Sequence, residues 1–249
     1  MIGVDVSGWI PVCSCREALQ QVLFAAGAMA SCARSGLVQI SPSKIASELV
    51  SFTHTITAAQ KSLQQSLELK PLVTGAEVTS HKYVADNVTR SLLSDTLAVG
   101  TYKIVFSEPA HTLTITGASI VSSGANHAII SVASPGAVTL TGKGYADTKR
   151  VTGVYNLTLD VGVPTNIMKI DNATMVSPSA VQVVTQRVYD YYAQRYVQHM
   201  KMFQHLSGPG DSATVSVMYA NQLGGVIEKM EIDLAGGFVS KVDVVGVIL

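Results

Sequence analysis

The chain has 249 residues, 47% of them hydrophobic and only 14% charged, and its 17 basic and 17 acidic side chains leave no formal net charge. That length suits one large domain, or two or three small ones sharing a core. Neutrality without any basic run of five argues against stable nucleic-acid binding, which rests on clustered Lys and Arg displacing counterions.

Membrane insertion is not expected, because the longest apolar stretch, around 22–30, is about half of the ~20 residues a spanning helix needs. A surface poor in charge must be rich in Ser, Thr, Asn and Gln, and suits packing against other proteins. Met1-Ile2-Gly3-Val4-Asp5 shows neither the basic nor the apolar region of a secretory signal, so no signal peptide is expected. The chain starts on what reads as mid-domain sequence, as a piece cut from a longer protein is expected to. Cys13, Cys15 and Cys32 lack the spacing of a zinc clamp and read as reduced, partly buried thiols.

Residues 9–40 read as strand, helix, turn, strand. Ser14 and Glu17 form a capping box, and Leu19, Val22, Leu23 and Ala26 follow at helical spacing on one face. Arg34-Ser35-Gly36 breaks that helix before the strand-like Leu37–Ile40. Residues 41–66 carry no clear pattern, and 67–84 read as a strand pair broken at Pro71 and Gly75.

Between 85 and 157 the pattern becomes period-2. Tyr102, Ile104 and Phe106 alternate with Thr101, Lys103 and Val105, as do Leu113 and Ile115 with threonines, then Val138 and Leu140. Turn signals recur at Glu108-Pro109, Ser123-Gly124-Ala125-Asn126 and Ser134-Pro135-Gly136, so this stretch is an inserted antiparallel β domain. Ser177 as N-cap and Pro178 at the first helical position open a second helix. Its core stripe is Val181, Val184, Val188, Tyr191, Tyr192 and Arg195. After the turn at Gly208-Pro209-Gly210-Asp211 come three strands, Ala213–Tyr219, Gly225–Leu234 and Phe238–Val247. The last, extending through Val239–Ile248, is so rich in Val that it should be central.

The fold class expected is α+β, mainly β: antiparallel β-barrel or sandwich bodies, two packed helices at about 14–31 and 178–202, and the inserted small β domain. The expected divisions are a strand–helix–strand subdomain with a strand pair over 1–84, the insertion over 85–157, and over 158–249 a Tyr-rich helix with a three-stranded segment completing the barrel.

The search for chemistry is negative. No dinucleotide, phosphate-loop or nucleophile-elbow motif occurs, and Gly142-Lys143-Gly144 has only hairpin-turn composition. The histidines His54, His81, His111, His127, His199 and His205 are scattered, with His199 and His205 expected near the end of the second helix. Glu228, Glu231 and Asp233 share one strand and read as a solvated face. The sequons at Asn87, Asn156 and Asn172 mean little without a secretory signal. No catalytic, metal-binding or cofactor-binding residue is assigned, no cofactor is expected, and the chain is read as not an enzyme. The tyrosine-rich helix, through Tyr189, Tyr192, Arg195 and Tyr196, is the candidate partner interface.

Two segments carry a resemblance. Arg16-Glu17-Ala18-Leu19-Gln20-Gln21 with its Ala/Gly-rich helix resembles a segment of phage tail and baseplate hub proteins. Gln186-Arg187-Val188-Tyr189-Asp190-Tyr191-Tyr192, followed by Gly225-Val226-Ile227-Glu228-Lys229-Met230 and Leu234-Ala235-Gly236-Gly237-Phe238, is similar to prophage minor structural (tail) proteins of Gram-positive hosts. The resemblance implies β-barrel bodies, a homo-trimer around the tail axis, other tail and baseplate subunits as partners, and a place at the hub or tail tip joining tube to tip. It also implies a protein made in the bacterial cytoplasm and carried in the virion. The alternative is a carbohydrate- or receptor-binding module using the insertion, for which Tyr102, Phe106, Tyr145 and Tyr155 are the available aromatics. A third reading, a cell-wall glycan hydrolase, needs Glu228, Glu231 or Asp233 to meet a second acid in a cleft.

Overall fold

The structure, a computed structural model, describes residues 5–32, 36–45, 49, 51–156, 164–203, 207–217, 221–233 and 239–249. It is mainly β with two helices, as composition and patterning indicate. Helix α1 (Cys15–Ala26) precedes the strands β1 (Ala28–Cys32), β2 (Val38–Pro42), β3 (His54–Ile56) and β4 (Lys61–Leu69). Next come β5 (Gly75–Leu97), β6 (Gly100–Val105), β7 (His111–Thr116), β8 (Ser119–Gly124), β9 (His127–Val132), β10 (Gly136–Asn156) and β11 (Ile167–Ile170). Helix α2 (Val181–Ala193) leads to β12 (Tyr196–Phe203), β13 (Ser212–Ser216), β14 (Gln222–Asp233) and β15 (Val239–Ile248).

The longest elements organise the rest. β5 and β10 run antiparallel from Gly75↔Asn156 to Leu97↔Gly136, with three register shifts along the way. At ~3.3 Å per residue a strand of this length reaches on the order of 70 Å. At one end, β11 pairs in parallel with β5 and α2 packs across the ribbon over a core of Ala76, Val78, Val176, Val181, Val184 and Val188. At the other, β7 pairs with β10, and the three-stranded sheet β6–β9–β8 closes over Ile130, Val132, Val138, Leu140 and Phe106. The alternating burial of β6, β7 and the start of β10 is the period-2 pattern read in the sequence. The expected boundary at 84/85 falls inside β5.

The second body is a six-stranded sheet in the order β3–β13–β14–β15–β12–β4. Its two edge strands, β3 and β4, are consecutive in the chain and separated only by residues 57–60. Five peptide steps span at most about 17 Å, so the sheet must curl until its edges meet at that end. It is a split barrel: Lys61 Nζ donates to the Ser216 carbonyl across the seam, and no ladder joins β3 to β4 among the described residues. Ile56, Met200, Met202, Leu223, Ile227 and Val244 fill the interior. β15 is central, as its valine content indicates.

Several local expectations are corrected. The second helix ends at Ala193, not near 202, because Tyr196–Phe203 has period-2 burial: Met200 and Met202 point into the barrel while His199 and Lys201 point out, and ladders to β15 and β4 hold the strand. The helix starts later too. Residues 178–180 form a turn, Ala180 takes the N-cap position, and the Ser177 hydroxyl donates to the Asp5 carbonyl instead of capping. The strand pair expected over 67–84 is two strands of different sheets, β4 and β5. Gly142-Lys143-Gly144 lies within β10, at a register shift and not in a turn. Cys13, Cys15 and Cys32 are all free and exposed. The turn expected at 235–237 lies outside the described residues.

Candidate assembly surface

Helix α1 forms as its capping box dictates. The Glu17 amide donates to Ser14 Oγ at 3.3 Å, and the Ser14 amide to the Glu17 carboxylate at 2.9 Å. The bond from the Ser14 amide, and then one from the Ser14 hydroxyl, hold the Glu17 carboxyl below its ordinary range. Gly27 ends the helix at φ +65°, a left-handed position suited to glycine. The Arg187 guanidinium of α2 lies where a Cβ on Gly27 would stand, placing a cation at the negative end of α1.

The apolar stripe of α1 is not buried. Only Ala25 is, while Leu19 is exposed and Val22 and Leu23 are half-buried. Together with Ile40 and Pro42 of β2 and Val183 of α2, this stripe lines a groove of about 690 Å³ between the helices. β2 belongs to the β1–β2 hairpin, whose strands have no other ladder partner among the described residues.

The four residues of the candidate partner interface do not share a surface. Tyr189 is 9% exposed and belongs to the core beneath α2. Tyr192 packs at the edge of that core, with its ring 5.1 Å from that of Tyr191. Arg195 has left the helix, and its Nε donates to the Lys70 carbonyl at 3.0 Å. Tyr196 is the first residue of β12 and packs against the barrel core. These side chains join the two bodies: Tyr191, next to them, donates its hydroxyl to Glu228 of β14. Burial, then that carboxylate, raises the Tyr191 hydroxyl well above the ordinary phenol range.

The outer face of the barrel is ionic. His199 sits between Asp243 Oδ1 at 2.8 Å and Glu68 Oε2 at 3.0 Å, tying β12 to both neighbouring strands. Its hydrogen bonds to Glu68 and Asp243 raise its pKa above the ordinary histidine value. The expectation that His199 marks a helix end is thus replaced by a cross-strand clamp, while His205 lies outside the described residues. Glu231 accepts from Lys229 at 2.7 Å, and Glu228, Glu231 and Asp233 are all exposed, as a solvated face requires.

Beside the ribbon, His81 is buried, with Nδ1 2.8 Å from Asp147 and Nε2 3.1 Å from the Asp171 carbonyl. Burial pushes the Asp147 carboxyl up, but bonds from His81, Arg150 and the Lys82 amide outweigh it and hold it low. Sequence reasoning missed this cluster, since its members are 66 and 90 residues apart along the chain. Among the described residues no group of three or more His, Cys, Asp or Glu side chains could hold a metal, and no helix is long and apolar enough to cross a membrane.

The aromatics available to a glycan-binding insertion do not form an exposed platform. Phe106 is buried, Tyr102 packs on the insertion core and donates to the Ala98 carbonyl, and Tyr145 is half-buried against the His111 ring. The Tyr155 side chain lies outside the described atoms.

No protein-family model matches the chain, and no curated protein does. Several solved structures align with it, two of which are as follows. One is a chain of the virion of a native gene transfer agent particle, 11% identical, with a TM-score of 0.46 over 93% of this chain and 38% of that one. The other is the 43 kDa tail protein of prophage MuSo2 from Shewanella oneidensis, 8% identical, with a TM-score of 0.43 over 93% of this chain and 54% of that one. The chain spans less than two thirds of either.

Proposed function

We propose that this chain is a non-catalytic structural component of a phage or prophage-derived tail, acting at the hub or tip where the tube meets the end of the tail. The observation that carries the reading is the split barrel. A six-stranded sheet curled round a full core, yet left with β3 and β4 unpaired at its seam, offers ready backbone donors and acceptors to a neighbouring subunit. β4 also exposes Leu67 and Leu69 along that edge. The tail-protein resemblance of residues 16–21 and 186–238 supports the same reading, and an outer surface of paired charges suits a building block better than a catalyst. Three copies round the tail axis would place their barrels side by side, with other tail subunits above and below.

The test is localisation in assembled particles. A tagged copy, expressed in a strain that produces the tails, is expected in purified tails, with immunogold at one end only and about three copies per tail by quantitative mass spectrometry. Tails that assemble to normal length and infect without the chain, or particles that never contain it, would overturn the proposal.

A further inference from the structure

The β1–β2 hairpin has a free edge whose chemistry is defined by its own ladder. The Ser43 amide donates to the Gly27 carbonyl at 2.9 Å, so Gly27↔Ser43 is a hydrogen-bonded pair. Antiparallel ladders alternate bonded and non-bonded pairs. The next bonded pairs are therefore Met29↔Ser41 and Ser31↔Gln39, while Val38, Ile40 and Pro42 stand in the non-bonded register opposite Cys32, Ala30 and Ala28. The backbone groups of those three residues point away from β1, into solvent. Pro42 falls at an outward position, where its missing N–H removes nothing from the hairpin.

Apart from Pro42 at its end, this edge carries none of the charged side chains that usually guard an exposed strand. Leu37, Val38 and Ile40 are 67%, 61% and 63% exposed, and no charged residue lies between Gly36 and Ser43. It is also complementary to itself. Two β2 strands laid antiparallel about a two-fold axis at Ile40 bring outward groups against outward groups. Each Ile40 amide meets the other Ile40 carbonyl, and each Val38 amide meets the other Pro42 carbonyl. All four available donors are used, and the absent Pro42 amide leaves only the end carbonyls of Val38 to water. In this register Val38, Ile40 and Pro42 of both copies fall on one face, continuous with the apolar groove that Ile40 and Pro42 already line.

We propose that β2 is a self-association edge, and that two copies of this chain join through it into one four-stranded sheet, β1–β2–β2–β1. The contact is separate from the β3 and β4 edges and independent of the tail reading. With about 100 Å² of apolar surface covered on each of Val38, Ile40 and Pro42 in the two copies, it hides on the order of 600 Å² of side-chain surface, below the size of a standard specific interface. The dimer is therefore weak, with a dissociation constant on the order of 10–100 µM.

Sedimentation equilibrium of the full chain over ~1 µM to 1 mM is expected to show monomer passing to dimer, and Ile40→Lys to weaken that step at least tenfold. Gln39→Lys, on the other face of the strand, is expected to change it less than threefold. A covalent readout is independent of fold damage. With Cys13, Cys15 and Cys32 changed to Ser, Ile40→Cys places two thiols in a directly opposed pair, within disulfide reach. Mild oxidation should cross-link it at least tenfold faster than Gln39→Cys, whose partner across the axis is Ser41. A wild-type chain that stays monomeric to 1 mM overturns the proposal, and so does equal cross-linking of the two cysteine variants or a dimer indifferent to Ile40→Lys.

Discussion

His199 shows how one side chain binds three strands. Both of its ring nitrogens face carboxylates, one on β4 and one on β15, so the charged ring is favoured in the folded protein and its pKa is raised. A raised folded-state pKa gives stability that is fully present below the unfolded value of about 6.5 and lost as pH climbs through the folded value. Urea unfolding at pH 5.5 and 8.5 is expected to show the wild-type advantage over His199→Gln shrinking at the higher pH. An advantage that is constant or grows with pH would refute the clamp. The side chain is part-exposed, so screening keeps the effect small.

Contacts between elements depend on residues that have no side chain to show. Gly153 of β10 lies beneath α2, where a Cβ would meet Thr185 Oγ1 and the Val181 carbonyl. The helix sits as close to the ribbon as it does because that space is empty. Gly153→Ala should therefore cost about 1–3 kcal/mol in chemical denaturation, whereas Gly136→Ala, with nothing within 4 Å of the new Cβ, should change little. Equal effects at the two sites would mean that the close approach of α2 is not what Gly153 provides. The register of α2 follows the same logic. Val181, Val184 and Val188 descend into the core, and Tyr191 reaches across to Glu228 of the barrel.

The described residues of the whole molecule form three separate hydrophobic cores, one under α2, one in the barrel and one in the insertion. The last two share no cluster residue, which predicts that they open independently. Leu140, fully buried in the insertion, should cost about 2–5 kcal/mol locally when cut to alanine. Amide exchange in Leu140→Ala should accelerate in β6, β7 and β9 while β12, β14 and β15 keep their protection. Uniform acceleration of all slow amides would show a single cooperative unit instead.

What the sequence by itself determined was local. The capping box of α1, the alternation in β6, β7 and β10, the turns between them and the central place of the valine-rich last strand all follow from residues within a few positions of one another, where backbone sterics and burial period decide. Where two periods overlap, tertiary partners decided. Tyr196–Phe203 could extend the preceding helix, but β4 and β15 offer it two ladders and its alternate side chains fit the barrel core, so it is a strand. For the same reason the tyrosines expected on one helix were divided between two cores, and His199 became a clamp whose acids lie 131 and 44 residues away along the chain. The open edges of β2, β3 and β4 were likewise invisible beforehand, because a strand's pattern tells which face it buries but not which of its edges finds a partner.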